Sequence, residues 1–174
     1  MAKIMFVDDE QNVLNALQRT LRHKRWDIVV YNNPHEALAH LEREQFAVVV
    51  SDYRMPEING VQFLEYCRFR QKHAVRIILS AYTEKNGMLD AINTAQIHRF
   101  IIKPWDEQAL VSMIENALET YNLLEEKDQL LRLVEEQREK LSKQRRTIEA
   151  FEQRHPELAS VARDADNRIV LDGV

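Results

Sequence analysis

Five short apolar or β-branched runs punctuate the first part of the chain: Ile4–Val7, Ile28–Tyr31, Ala47–Ser51, Arg76–Leu79 and Arg99–Ile102. Runs of four or five such residues between polar turns mark strands buried on both faces of a parallel sheet. The stretches between them have helical spacing. Val13, Leu14, Leu17 and Leu21 repeat at three to four residues, as do Ala37, Leu38 and Leu41, and Val61, Phe63, Leu64 and Cys67. Met88, Leu89 and Ile92 form a weaker version. Pro34 and the pair Thr83-Glu84 supply helix-start signals. This alternation predicts five βα units, an α/β fold with a doubly wound five-stranded parallel sheet. In such sheets the functional site lies outside the carboxyl ends of the strands.

The remainder of the 174 residues reads differently. From Trp105 to Arg154 there is neither Gly nor Pro, and Glu, Gln, Leu, Lys and Arg dominate. One helix of that length would run roughly 75 Å, more than a single domain can bury. Its first part, with Leu110, Ile114, Ala117 and Tyr121, is expected to pack as the last helix of the α/β domain. Further on, Val134, Leu141 and Ile148 recur every seven residues, a coiled-coil spacing. The second seam line is either Arg138 and Arg145 or Gln137 and Gln144, so any coiled coil here is rich in polar residues. Residues 106–139 hold ten acids and three bases, and residues 140–154 hold five bases and two acids. That order suits the helix dipole and mildly favours an antiparallel partner. The expected division is therefore a domain over 1–122, a long helix over 123–155 ending at Pro156, and a short tail over 156–174 with a turn and a strand.

Composition excludes several classes. No apolar run approaches the ~20 residues of a membrane span, and the N-terminus lacks a signal-peptide pattern. A single cysteine, Cys67, excludes a disulfide framework and a Cys-rich metal site and suits a reducing cytoplasm. Cys67 itself lies on an apolar helical face and reads as core. Three glycines leave no room for Gly-rich nucleotide loops, and a net charge of −4 gives no general attraction to nucleic acid. The basic run Arg22–Arg25 reads as a surface turn, and no helix-turn-helix follows the α/β domain.

The chemistry lies at the strand ends. Asp8-Asp9-Glu10 follows the first run, Asp52 the third, Ser80-Ala81 the fourth and Lys103-Pro104 the fifth. Singly, each of these is an ordinary turn former or a solvated lysine. Together, on one sheet edge, they gather three carboxylates, a hydroxyl and an ammonium. Clustered carboxylates repel unless a cation joins them, and an oxygen-only donor set at a wet edge favours Mg²⁺. Lys103 and Ser80 suit phosphoryl oxygens. Asp52, alone at its strand end, is the natural acyl-phosphate nucleophile.

These ordered marks, with Met55-Pro56 and Gly60 after Asp52, make the chain resemble a two-component response-regulator receiver domain over residues 1–122. The resemblance implies the CheY-like strand order 2-1-3-4-5. It implies that Asp52 accepts a phosphoryl group from a histidine kinase, a phosphotransfer protein or a small phosphodonor. Asp9, Asp52 and the Arg54 carbonyl would ligate Mg²⁺ directly, and Asp8 through water. Ser80 and Phe100 stand where the family has its switch pair, Lys103 would pair with the phosphoryl oxygens, and the Lys103–Pro104 bond would be cis. Arg54 and Tyr82 flank the path of an attacking water and are expected to slow dephosphorylation. The state would pass through the face of the fourth helix, fifth strand and fifth helix, and through the helical extension, to a homodimer or a downstream effector.

Residues Ser80–Tyr82 and Ile97–Asp106, with the extension, further resemble receivers found ahead of HD-GYP-type phosphodiesterase domains. The chain carries neither an HD nor a GYP sequence. Two other readings compete with a working receiver. One is a Mg²⁺-dependent aspartyl phosphohydrolase, which places its nucleophile after the first strand with a second acid two residues on, whereas Asp8 and Asp9 are adjacent. The other is a scaffold with a silent receiver, against which the intact acid set argues.

Overall fold

The computed structural model describes residues 2–81 and 95–156. The elements run β1 (Lys3–Val7), α1 (Gln11–Leu21), β2 (Asp27–Tyr31), α2 (Pro34–Leu41), β3 (Val48–Asp52), α3 (Gly60–Arg70), β4 (Val75–Ala81), β5 (Arg99–Lys103) and a helix labelled α4 (Glu107–Arg154). The expected fourth helix around Met88–Ile92 and the tail beyond Pro156 lie outside the described residues. The five strands are parallel, in the order β2-β1-β3-β4-β5.

The sheet separates two cores because successive side chains point to opposite faces. Ile4, Phe6, Val48, Val50, Ile77, Leu79 and Ile101 face Leu14, Leu17 and Leu21 of α1 and Leu110, Ile114 and Ala117 of α4. Met5, Val7, Val49 and Ile78 face Ala37 and Leu41 of α2 and Phe63, Leu64 and Cys67 of α3. Only the central strands are buried on both faces. Every residue of β2 is partly exposed and β5 keeps only Ile101 fully buried, because these two strands form the sheet edges.

Local chemistry fixes the ends. The Asn33 side chain accepts from the His35 amide, with Pro34 at the first helical position of α2. Asn59 and Gln62 form a reciprocal capping box at α3. Asp106 accepts from the Ala109 amide at 2.8 Å and closes the start of α4, so the helix begins at Glu107 rather than at Trp105. The chain divides into one unit ending at Glu126 and another beginning at Lys127. Within the second unit, α4 continues unbroken to Arg154.

Candidate functional site

Three strands end one or two residues later than their apolar runs suggest. β3 includes Asp52, β4 includes Ser80 and Ala81, and β5 includes Lys103. These residues are therefore held by the sheet ladder, not by loops. The polar side chains stop the hydrophobic pattern, but the backbone pairing of Asp52 with Leu79 and of Ala81 with Lys103 continues through them.

Asp8 follows β1 directly and is 1% exposed. Its amide donates to the Tyr31 carbonyl at 3.1 Å, and its Oδ1 accepts from the Glu10 amide at 2.9 Å. Its Oδ2 accepts from Lys103 Nζ at 2.7 Å. The same ammonium lies 2.5 Å from Asp52 Oδ1, while Asp52 Oδ2 accepts from the Arg54 amide at 2.7 Å. Each carboxylate thus has one oxygen tied to backbone and the other on a shared lysine. Burial pushes both carboxyls above the usual range, outweighing the pull of Lys103. Burial would lower the Lys103 ammonium, but hydrogen bonds to Asp52 and Asp8 prevail and raise it. The Lys103–Pro104 peptide is cis.

The other expected residues sit around this pair. Asp9 is exposed and borders a small cavity with Asn32, His35 and Glu57. Arg54 is exposed and bears on Asp52 through its amide. Ser80 is fully buried, with its hydroxyl donating to the Ala81 carbonyl at 3.2 Å. Phe100 pairs with Ile78 across the ladder, so it projects to the same sheet face as Ser80 and packs on the second core. Tyr82 lies outside the described residues. Among the described residues no three carboxylate, imidazole or thiol groups converge on one point. Asp8 and Asp52 are drawn to the ammonium between them, and Asp9 faces solvent. The donor chemistry nonetheless fits a hard divalent cation. Three carboxylates against one ammonium leave excess negative charge, and every donor is oxygen.

Sequence reasoning named Gly60 and Arg76 but missed what each supports. A Cβ on Gly60 would stand 2.0 Å from the Asp52 carbonyl oxygen, so α3 can start this close to the end of β3 only with glycine there. Arg76, 2% exposed, donates to the carbonyls of Ala95, Ala74 and Gln96 at 2.9, 2.8 and 3.3 Å. An arginine opening an otherwise apolar run was the available signal for the second. Cys67 is fully buried and its thiol is pushed up to about 12, so it is core and not a nucleophile.

The model of the response regulator receiver domain family matches residues 4–115. The chain belongs to this family. It is a receiver domain of the kind found in two-component response regulators. It is 35% identical over 122 residues to the hydrogenase transcriptional regulatory protein HoxA of Cupriavidus necator, covering 70% of this chain and 25% of that protein. The receiver thus spans about a quarter of the length of that relative. It is also similar to a crystal structure titled adenylate cyclase from Rhodopirellula baltica, with a TM-score of 0.70 and 27% identity over 75% of this chain and 96% of that one. The signal receiver domain of an HD domain-containing protein from Pseudomonas fluorescens matches with a TM-score of 0.69 and 26% identity, over 72% and 92% of the two chains. Among the described residues no helix is long and apolar enough to cross a membrane.

Proposed function

We propose that Asp52 is the phosphoacceptor of this receiver, with Asp8, Asp9 and Lys103 as its immediate machinery. The single observation that carries the reading is the Lys103 ammonium bound at once to Asp8 and Asp52 at the carboxyl ends of β1, β3 and β5. Asp52 Oδ1 attacks the phosphorus of a phosphohistidine or a small acyl phosphate. A P–O bond forms, the donor's P–N or P–O bond breaks, and the electron pair leaves with the imidazole or carboxylate. The Arg54 amide holds Oδ2 and leaves Oδ1 against the Lys103 ammonium. Lys103 and the Ser80 hydroxyl then hold phosphoryl oxygens.

Asp9, Asp52 and the Arg54 carbonyl would hold Mg²⁺ directly, with Asp8 through water. The ion would supply neutralisation of phosphoryl charge. Attack of water on phosphorus, with return of the electron pair to Asp52, releases phosphate and resets the receiver. Arg54 and Tyr82 would slow that reset, so Arg54→Ala would shorten the acyl-phosphate lifetime, and an unchanged lifetime would sink this role. Ser80 and Phe100, on one sheet face, would carry the state to the face that includes β5 and α4. This is a population shift between two arrangements of one fold.

The donor would be a histidine kinase or phosphotransfer protein of the cytoplasm, and the reader a downstream effector or a second copy of the chain joined through α4. We propose no direct contact with nucleic acid and no membrane association. The domain division is a receiver over 1–122, the long helix over 123–155 and a tail over 156–174.

Incubation with acetyl phosphate and Mg²⁺ should add one phosphoryl group, seen by intact mass, and Asp52→Asn should abolish it. Label retained in Asp52→Asn would overturn the assignment, and multiple turnover on a phosphate monoester would favour a phosphohydrolase instead.

A further inference from the structure

Beyond the receiver, α4 carries its apolar residues in the open. Every residue from Gln129 to Pro156 is exposed within the chain. Leu130, Val134, Leu141, Ile148 and Phe151 stand among them, each between 43% and 63% exposed. Val134, Leu141 and Ile148 form one line at seven-residue spacing. Leu130 and Phe151 open and close a second line that passes through Gln137 and Gln144, three residues after each member of the first. The competing second line, Leu131, Arg138, Arg145 and Glu152, would place three consecutive charges in a seam, which a buried interface does not tolerate without partners. The surface of α4 also carries a concavity bordered by Leu141, Gln144, Arg145 and Ile148. Four residues in that arrangement form the hole that receives one side chain of a facing helix.

We infer that this face docks a second copy of the same chain, parallel and in register. The inference rests on the homodimer reading above and adds its direction and alignment. In a parallel pair each layer meets its own copy. Apolar residues then face apolar ones at 130, 134, 141, 148 and 151, and glutamine faces glutamine at 137 and 144. A carboxamide both donates and accepts, so two glutamines satisfy one another.

Reversing one helix sets the first line opposite the second. The two staggers that keep Leu130–Phe151 overlapped then face Gln137 with Leu141 or Ile148, and Gln144 with Val134 or Leu141. A buried amide against an aliphatic side chain loses its partners. The order of acids before bases along α4 favours reversal, and in the parallel pair Lys140 approaches Arg145 of the other copy. Both are rim effects between exposed, screened charges, weaker than seam matching.

The test uses the full chain. Cys67, fully buried with its thiol pushed up to about 12, stays silent in it. Gln137→Cys places a thiol in the seam, and Glu139→Cys places one on the outer face as a control. Under mild oxidation Gln137→Cys should form a disulfide-linked dimer roughly ten-fold faster than Glu139→Cys, because only seam thiols approach their copies closely enough to bridge. Wild-type sedimentation should show a monomer–dimer equilibrium that strengthens as salt rises. A wild type that stays monomeric at every concentration would sink the homodimer reading itself. A dimer in which Gln137→Cys crosslinks no faster than Glu139→Cys, and which weakens with salt, would sink the parallel alignment alone.

Discussion

At the scale of single residues, the site balances charge that burial makes costly. Asp8 and Asp52 share one lysine, and burial raises both carboxyls in the fold. A group with a raised folded pKa binds more protons folded than unfolded. Its stabilising contribution is complete below the ordinary carboxylate range and is lost as pH rises through the raised value. Asp52→Asn removes one of the two opposed charges, so in chelator the variant should be about 1 kcal/mol more stable than wild type at neutral pH. The gain should vanish as pH falls into the ordinary carboxylate range, where Asp52 is protonated anyway. Urea unfolding of both proteins at several pH values reads this out, and a variant no more stable than wild type at neutral pH would contradict it.

Gly60 shows the opposite sign to its usual role. Glycine to alanine in a helix ordinarily gains about 0.5–1 kcal/mol. Here the added Cβ would meet the Asp52 carbonyl oxygen at 2.0 Å, so Gly60→Ala should instead cost ~2–3 kcal/mol. It should also slow phosphoryl acceptance, because the strand end that carries Asp52 must yield. Both Asp52 and Gly60 were visible in the sequence as marks. What could not be read there was the 2.0 Å approach that ties them, since it depends on where α3 lands on the sheet.

Among the elements, legibility followed hydrophobic pattern. The apolar runs located all five strands, but not their ends, because Asp52, Ser80 and Lys103 are polar and yet remain in the ladder. β2 and β5 were expected to be buried like the others, and only topology reveals that they are edges. Arg76 is the sharpest case. It was counted as the first residue of a strand, and the structure adds that its guanidinium, with no carboxylate against it among the described residues, ties β4 to the segment entering β5 through the Ala95 and Gln96 carbonyls and holds the Ala74 carbonyl before β4. Burial lowers its pKa, as expected of a cation held by carbonyl dipoles. Arg76→Met keeps the length and removes the donors, leaving buried acceptors short of partners. It should cost about 2–4 kcal/mol in denaturant unfolding, whereas the exposed Arg19→Met should be close to neutral.

At the scale of the whole molecule, the two units draw their stability from different sources. The receiver unit buries its own cores on both faces of the sheet. From Gln129 to Arg154 every residue of α4 is exposed among the described residues, so its helix would depend on intrinsic propensity and, as proposed above, on association. Those sources respond differently to concentration. A two-state unit held by its own core melts at a temperature independent of protein concentration, whereas a helix held by a second copy melts higher as concentration rises. Thermal unfolding followed by far-ultraviolet circular dichroism should therefore resolve two steps: an earlier loss of helix whose midpoint climbs with concentration, and a later receiver transition that does not. Leu141→Asp, which puts a charge in the seam, should abolish the concentration dependence of the first step and leave the second unchanged. A single transition insensitive to both concentration and Leu141→Asp would mean that the long helix stands without a partner, and that its exposed apolar line serves neither dimer nor signal.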